Sequence, residues 1–282
     1  MARTFIITGT TTGFGHEMAK AALAAGDNVV ATARTSSKLK IDGANDKNFL
    51  AVDLDLLKPE GIDKVFKQAK DKFGRIDVVC NNAGYGLSGP FETLTEEQCR
   101  KQMEINYFGL IAVTRKAVET MRTQSPPGGV IQQVTSIGGQ RGVPGFTIYC
   151  SSKWAVEGFT EALSHELKPE WNIKLTNIEP GGFRTEWAGA NMEYGGHRDL
   201  ESVYDHLNMR ETMGKRHGTQ VGDPAKAGKA MYDLAVHADP PLRIVLGSDA
   251  FGAMETKVKT YGESIQKWKS VSLGTDVDED KK

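Results

Sequence analysis

Short apolar runs rich in β-branched residues recur along the chain, and longer segments with helical spacing separate them. Phe5 to Thr8, Asn28 to Ala33, Phe49 to Val52, Ile76 to Cys80, Val130 to Val134, Ile173 to Ile178 and Arg243 to Leu246 predict strands. His16 to Ala25, Gly61 to Phe73, Glu96 to Met121, Tyr149 to Leu167 and Pro224 to Val236 predict helices. The last has Asp223 as an N-cap and Pro224 at the first helical position, where a missing N–H costs nothing. Strands apolar throughout, rather than alternating, need cover on both faces. With helices between them, they predict an α/β fold around a mostly parallel sheet.

No linker rich in Pro, Gly or Ser divides the chain, and Ser125-Pro126-Pro127-Gly128-Gly129 reads as a helix-to-strand loop. One domain over residues 1–273 is therefore expected. Two segments break the alternation. Residues 183–222 carry Trp187, Met192, Tyr194 and Tyr204 among polar residues, and an insertion of this length in a compact domain reads as a substrate loop or lid. Residues 274–282 form a polar tail expected to fray.

Composition narrows the partners. The 282 residues are 39% hydrophobic and 25% charged, with a formal net charge of -1, so no electrostatic footprint for nucleic acid or an anionic membrane surface is present. No apolar run approaches the roughly 20 residues needed to span a bilayer, and the opening Met1 to Gly9 is too short in its apolar part for a signal peptide. Cys80, Cys99 and Cys150 have no CxxC spacing, which suits neither a disulfide framework nor a zinc site. The expectation is a cytoplasmic protein without metal, acting on a small molecule.

The first strand runs into Thr8-Gly9-Thr10-Thr11-Thr12-Gly13-Phe14-Gly15, with a helix directly after it. In that context glycines let the backbone turn tightly against a pyrophosphate, whose charge meets the amides and positive dipole of the helix N-terminus. Gly9, Thr11, Thr12, Gly13, Phe14 and Gly15 are the candidate cradle. The spacing is GxxxGxG rather than the general GxGxxG, and an ordinary strand-to-helix turn is the competing reading. Some 20 residues on, where an acid would bind a free ribose hydroxyl, the chain has Arg34-Thr35-Ser36. A guanidinium fork suits a 2′-phosphate, so the charge logic favours NADP(H) over NAD(H). A solvated arginine at a strand end is the plainer alternative.

Tyr149 and Lys153 are four residues apart at the head of a predicted helix, which stacks a phenol and a cation on one face. Alone, the pair is either decoration or an acid. In company, the residues resemble the classical short-chain dehydrogenase/reductase family from about Thr4 to Ser248. The resemblance rests on Thr8-Gly9-x3-Gly13-x-Gly15, Asn81-Asn82-Ala83-Gly84, Ser136 and Tyr149-x3-Lys153 in family order, with Asp53, Asn106 and Pro180-Gly181 at matching places.

That resemblance implies a doubly wound Rossmann fold of seven strands and a homodimer or homotetramer. It places Asp53 and Leu54 at the adenine, and Asn81, Ala83 and Gly84 along the adenosine and ribose path. Pro180, Gly181, Phe183 and Thr185 fall near the nicotinamide. It gives Tyr149 the proton, Ser136 the substrate oxygen, Lys153 a bond to the nicotinamide ribose, and Asn106 a relay water; Lys153, together with the positive nicotinamide of the oxidised cofactor, is expected to lower the phenol's ordinary pKa of roughly 10. A mid-helix Asn is also often a satisfied interior group.

The expected activity is NADP(H)-dependent interconversion of a carbonyl and an alcohol. An alcohol dehydrogenase working mainly in the oxidative direction, and a catalytically idle NADP-binding sensor, are the alternatives. Phe183, Trp187, Met192 and Tyr194 suit an apolar pocket roof or simple packing of the insertion equally well, and Val143, Pro144 and Phe146 suit another wall.

Overall fold

Phe5, Ile6 and Ile7 are all fully buried, so consecutive side chains on opposite faces of their strand both meet apolar cover. The computed structural model, which describes residues 2–58 and 60–277, shows what supplies it. β1 (Thr4–Thr8), β2 (Asn28–Ala33), β3 (Phe49–Asp53), β4 (Val78–Asn81), β6 (Gly129–Val134), β7 (Ile173–Pro180) and β9 (Arg243–Leu246) form one seven-stranded sheet. Its order is β3-β2-β1-β4-β6-β7-β9 and every pairing is parallel. The expected α/β Rossmann architecture is observed, as a single domain.

On one face, Phe5, Ile7, Val29 and Ala31 pack against Met18 and Ala22 of α1 (Gly13–Ala24) and Met231 of α7 (Pro224–Ala235). On the other, Ile6, Val30 and Ile131 pack against Ile62, Val65 and Phe66 of α2 (Gly61–Phe73) and Val113 and Ala117 of α4 (Leu110–Thr123). The strand order reverses direction between β1 and β4. The loops leaving their carboxyl ends therefore part and open a crevice, the usual ligand position in such sheets.

Several boundaries differ from the sequence reading. Ile76 lies before β4 because its N–H and C=O are taken by the Gln124 side chain, at 3.1 and 2.9 Å, instead of a neighbouring strand. The segment expected as one helix from Glu96 to Met121 is α3 (Glu96–Met103), a π-helical turn over Glu104–Gly109, and α4. Two short strands, β5 (Gly86–Ser88) and β8 (Met192–Tyr194), pair with each other outside the main sheet. Residues 248–273, given no element by the sequence reading, form α8 (Ser248–Lys267) and α9 (Lys269–Leu273). The tail reading extends past residue 277 and there lies outside the described residues.

Residues 183–222 form an ordered excursion. Phe183 bridges to Gly222 at its base, β8 lies on β5, and α6 (Met209–Arg216) buries Met209 and Met213 against Phe146, Tyr149 and Cys150. No helix among the described residues is long and apolar enough to cross a membrane. The three cysteines are free.

Candidate active site

A cavity of about 640 Å3 occupies the crevice. Its floor is the turn after β1. Gly9 and Gly13 have φ of 70° and 66°, a region that glycine enters without strain. At Gly9 the requirement is double, because an added Cβ would stand 2.8 Å from the Ala83 Cα. Thr12 caps α1 without a side-chain hydrogen bond, so the N–H groups of the first helical turn are left for an anion in the cavity. Thr11, Thr12 and Phe14 line it. Gly15 does not. Its role is to admit Asn82, whose amide nitrogen would lie 2.5 Å from a Cβ there and which donates to the Thr8 and Gly9 carbonyls at 2.9 Å.

At one end of the cavity Arg34 and Thr35 line the wall, together with Lys38, which the sequence reading missed. A basic residue four positions after Arg34 was the available signal. Two cations and the uncapped helix end form a cradle whose charge fits a phosphorylated dinucleotide. Leu54 lines the same end, but Asp53 does not. Its carboxylate instead accepts from the Ser36 N–H at 2.6 Å, and that bond with the Ser36 hydroxyl holds it below the usual carboxylate range. Asp53 thus fixes the loop that carries Arg34 and Lys38.

Asn81 is a further correction. It ends β4 pointing into the protein, buried, and donates to Thr114 Oγ1 at 3.0 Å and Gln133 Oε1 at 2.8 Å. The next residue, Asn82, takes the cavity side together with Ala83 and Gly84. Alternation along a strand puts adjacent residues on opposite faces, so a double Asn at a strand end leaves open which one serves the site.

The other end of the cavity holds the candidate proton chemistry. α5 (Thr147–Glu166) presents Tyr149 and Lys153 from its first two turns, and both line the cavity with Ser136. Lys153 Nζ donates to the Val134 carbonyl at 2.8 Å and lies 5.8 Å from the Tyr149 ring centroid. Burial pushes the lysine down to about 8, against the opposing pull of Glu157. Burial also pushes the Tyr149 phenol well above its ordinary value, with the Ser136 hydroxyl opposing it. Dehydration thus dominates the phenol in the protein alone, and the lowering expected from Lys153 together with an oxidised nicotinamide belongs to the cofactor complex. Ser136 accepts from the Gly138 N–H at 3.0 Å, and its own hydroxyl is the group that bears on the Tyr149 phenol.

Asn106 lies in the π-helical turn and is buried; it does not line the cavity. Its Oδ1 accepts from the Tyr85 N–H at 3.2 Å, and its Nδ2 donates to the Tyr85 carbonyl at 3.1 Å and Ser152 Oγ at 3.4 Å. A Cβ on Gly84 would stand 3.1 Å from Asn106 Oδ1 and 3.7 Å from Lys153 Nζ. The two side chains thus flank one point, and the irregular turn is the local distortion that aims Asn106 there.

The roof comes from the excursion. Thr185 sits over the glycine turn, its methyl 3.4 Å from where a Gly13 Cβ would be. Phe183 meets the Phe14 ring edge-on at 5.0 Å. Trp187 stacks on Phe146 at 5.5 Å and tilts on Tyr149 at 5.1 Å. Val143 and Met192 extend this apolar wall, while Pro180 and Gly181 close the side at the end of β7. The two readings left open for Trp187 and Met192 are both realised: they pack the excursion and face the cavity.

A parallel seven-stranded sheet with a glycine turn at its crevice and Ser, Tyr and Lys converging beside it defines a dinucleotide-fold oxidoreductase. The chain belongs to the short-chain dehydrogenase family, whose sequence model matches residues 3–194. It is 35% identical over 277 residues to an uncharacterised oxidoreductase of Schizosaccharomyces pombe, covering 98% of this chain and 92% of that one. It is 34% identical over 279 residues to an oxidoreductase of Botryotinia fuckeliana, covering 98% and 100%. Among solved structures, a short-chain dehydrogenase from Streptomyces avermitilis superposes with a TM-score of 0.86 at 33% identity, over 98% of this chain and 100% of that one.

Proposed function

We propose that the protein is an NADP(H)-dependent oxidoreductase that interconverts a small carbonyl compound and its alcohol. The observation that carries this reading is that Ser136, Tyr149 and Lys153 share one cavity with the glycine turn, Arg34 and Lys38. The turn and the start of α1 would hold the pyrophosphate, Arg34 and Lys38 the 2′-phosphate, and Pro180, Gly181 and Thr185 the nicotinamide end. When bound, the cofactor supplies the hydride and, in its oxidised form, a positively charged ring.

The chain's own residues handle the proton. Ser136 donates its O–H to the substrate oxygen and orients it, a contribution of the oxyanion type. Tyr149 gives the proton to that oxygen in reduction and takes it back in oxidation. Lys153, held by the Val134 carbonyl, would re-aim toward the ribose and the phenol, and the point flanked by Asn106, Gly84 and Lys153 is where a relay water would sit. Trp187, Phe146 and Val143 exclude bulk water and favour an apolar, partly aromatic carbonyl substrate.

Following NADPH absorbance over a panel of ketones and aldehydes tests the reading. Oxidation with at least one apolar carbonyl is expected, and NADPH binding without turnover across the panel would return the protein to the idle-sensor reading.

A further inference from the structure

α8 meets the domain only near its base. Ala250 is its one buried residue, and every residue from Val258 to Leu273 is exposed. Lys257 holds the base in place, its ammonium 5.2 Å from the Trp154 ring centroid on α5 and 5.3 Å from that of Tyr261. Beyond it the helix runs on into water, where so short a segment gains little from helix propensity alone and relies on a packed face.

That face is present, and none of the described residues buries it. Phe251, Met254, Val258, Tyr261, Ile265 and Trp268 follow one another at alternating steps of three and four. This is the a and d spacing of a heptad, the narrow seam of a coiled coil rather than the wider stripe that a helix lays on its own core. Phe251, Val258, Tyr261, Ile265 and Trp268 are each more than half exposed. At the usual size of such side chains the seam offers roughly 550 Å2 of apolar surface. Two seams packed together remove roughly 1,100 Å2 from water, enough for a specific interface, which needs roughly 1,000 Å2.

The charges beside the seam select its occupant. Residues 248–273 carry four lysines and three acids, a balance unlike the polybasic face that an anionic lipid surface attracts. They do match a second α8. With two such helices antiparallel about a two-fold axis beside Gly262, Glu255 of one copy comes opposite Lys269 of the other, and symmetry makes the pair twice. In the same register Val258 meets Trp268 and Tyr261 meets Ile265, so each layer joins a large ring to a β-branched side chain. A parallel pairing instead sets Lys257 opposite Gly262 and Lys269 opposite Ser264, with no opposite charges. The antiparallel arrangement also puts the two domains at opposite ends of the paired helices, about 30 Å long, where they clear each other.

We infer that α8 is a docking surface for a second copy of this chain, the two helices packing antiparallel through the Phe251-to-Trp268 seam. The inference goes beyond the proposed carbonyl chemistry and does not rest on it.

Sedimentation velocity of the full chain over a concentration series tests the surface. Ile265→Glu, at the middle of the seam, should halve the mass of the native assembly, whether that is a dimer or a tetramer. The residue is exposed, so the far-ultraviolet circular dichroism and Tm should stay near native. Charge exchange tests the register. Glu255→Lys should weaken the association about fivefold, as two lost surface ion pairs would, and adding Lys269→Glu should restore it to within about twofold. A native mass retained by both Ile265→Glu and Val258→Glu overturns the docking surface, and a double exchange that fails to restore association overturns the antiparallel register. A native chain that is monomeric at every concentration also overturns the inference, and its sedimentation with vesicles of phosphatidylcholine and phosphatidylserine would then assign the seam to a lipid surface.

Discussion

Trp187 lies with its ring centroid 5.1 Å from that of Tyr149, tilted by 55°. The same indole stacks on Phe146, so one residue of the excursion both covers the candidate acid and forms part of the cavity wall. Removing it admits water to the phenol and takes away an aromatic contact of about 1 kcal/mol. Trp187→Ala should raise the KM for an aromatic carbonyl about fivefold and leave the NADPH Kd within about twofold. Steady-state kinetics beside an NADPH fluorescence titration separates the two effects.

Tyr149→Phe keeps the ring packing and removes the proton. Positioned acids contribute about 100- to 10,000-fold, so turnover should drop by at least the lower figure. NADPH should bind nearly as before. Stopped-flow reduction near the native rate would show that another group carries the proton.

Arg34 and Lys38 both line the cavity, where they are proposed to hold a 2′-phosphate. Arg34→Asp should weaken NADPH by about 10- to 100-fold, the loss of one or more charge-assisted hydrogen bonds, and should weaken NADH far less. Lys38→Ala should act in the same direction with a smaller effect. Parallel titrations of both cofactors measure the ratio, and an unchanged preference would sink the phosphate assignment.

Lys153 is held down to about 8 from an ordinary 10.5 by burial, a gap worth about 3 kcal/mol. The sign follows from proton counts. Between these two values the unfolded chain binds the proton and the folded chain does not, so this group's contribution to stability rises with pH across that window and is constant below it. Lys153→Met should accordingly raise Tm at pH 7, with a smaller advantage at pH 10. Paired thermal melts of the two chains at both pH values provide the check.

Gly15 faces Asn82, not the cavity. Gly15→Ala puts a methyl against the Asn82 amide and the Gly9 carbonyl and should cost about 1–3 kcal/mol through overpacking. The glycine turn loses its brace with it. A lowered Tm and a weaker NADPH titration should therefore appear together.

Residues that act through the backbone, or as members of an ordered set, were legible in the sequence. The glycine turn, the strand alternation and the Tyr149-to-Lys153 spacing each follow from local periodicity. Side-chain direction at strand ends was not legible: Asn81 and Asn82 differ by one position and point to opposite sides, and Asp53 turned to Ser36. The π-helical turn at Asn106 was equally hidden, because one extra residue in a turn leaves hydrophobic spacing almost unaltered. α8 escaped notice for another reason. Phe251, Val258, Tyr261 and Ile265 recur at helical spacing, but Gly252 and Gly262 interrupt the segment and only Ala250 of the helix is buried.

The Phe183 to Gly222 bridge closes the excursion at its base, where Arg184 also donates from Nε to the Gln220 carbonyl at 2.7 Å. A forty-residue segment that leaves and rejoins the domain at one point is a cassette. Its sequence can diverge, or be exchanged between relatives, without altering the register of any strand in the main sheet. A different cavity roof can therefore be grafted at this junction while the α5 face that carries Tyr149 and Lys153 is inherited intact.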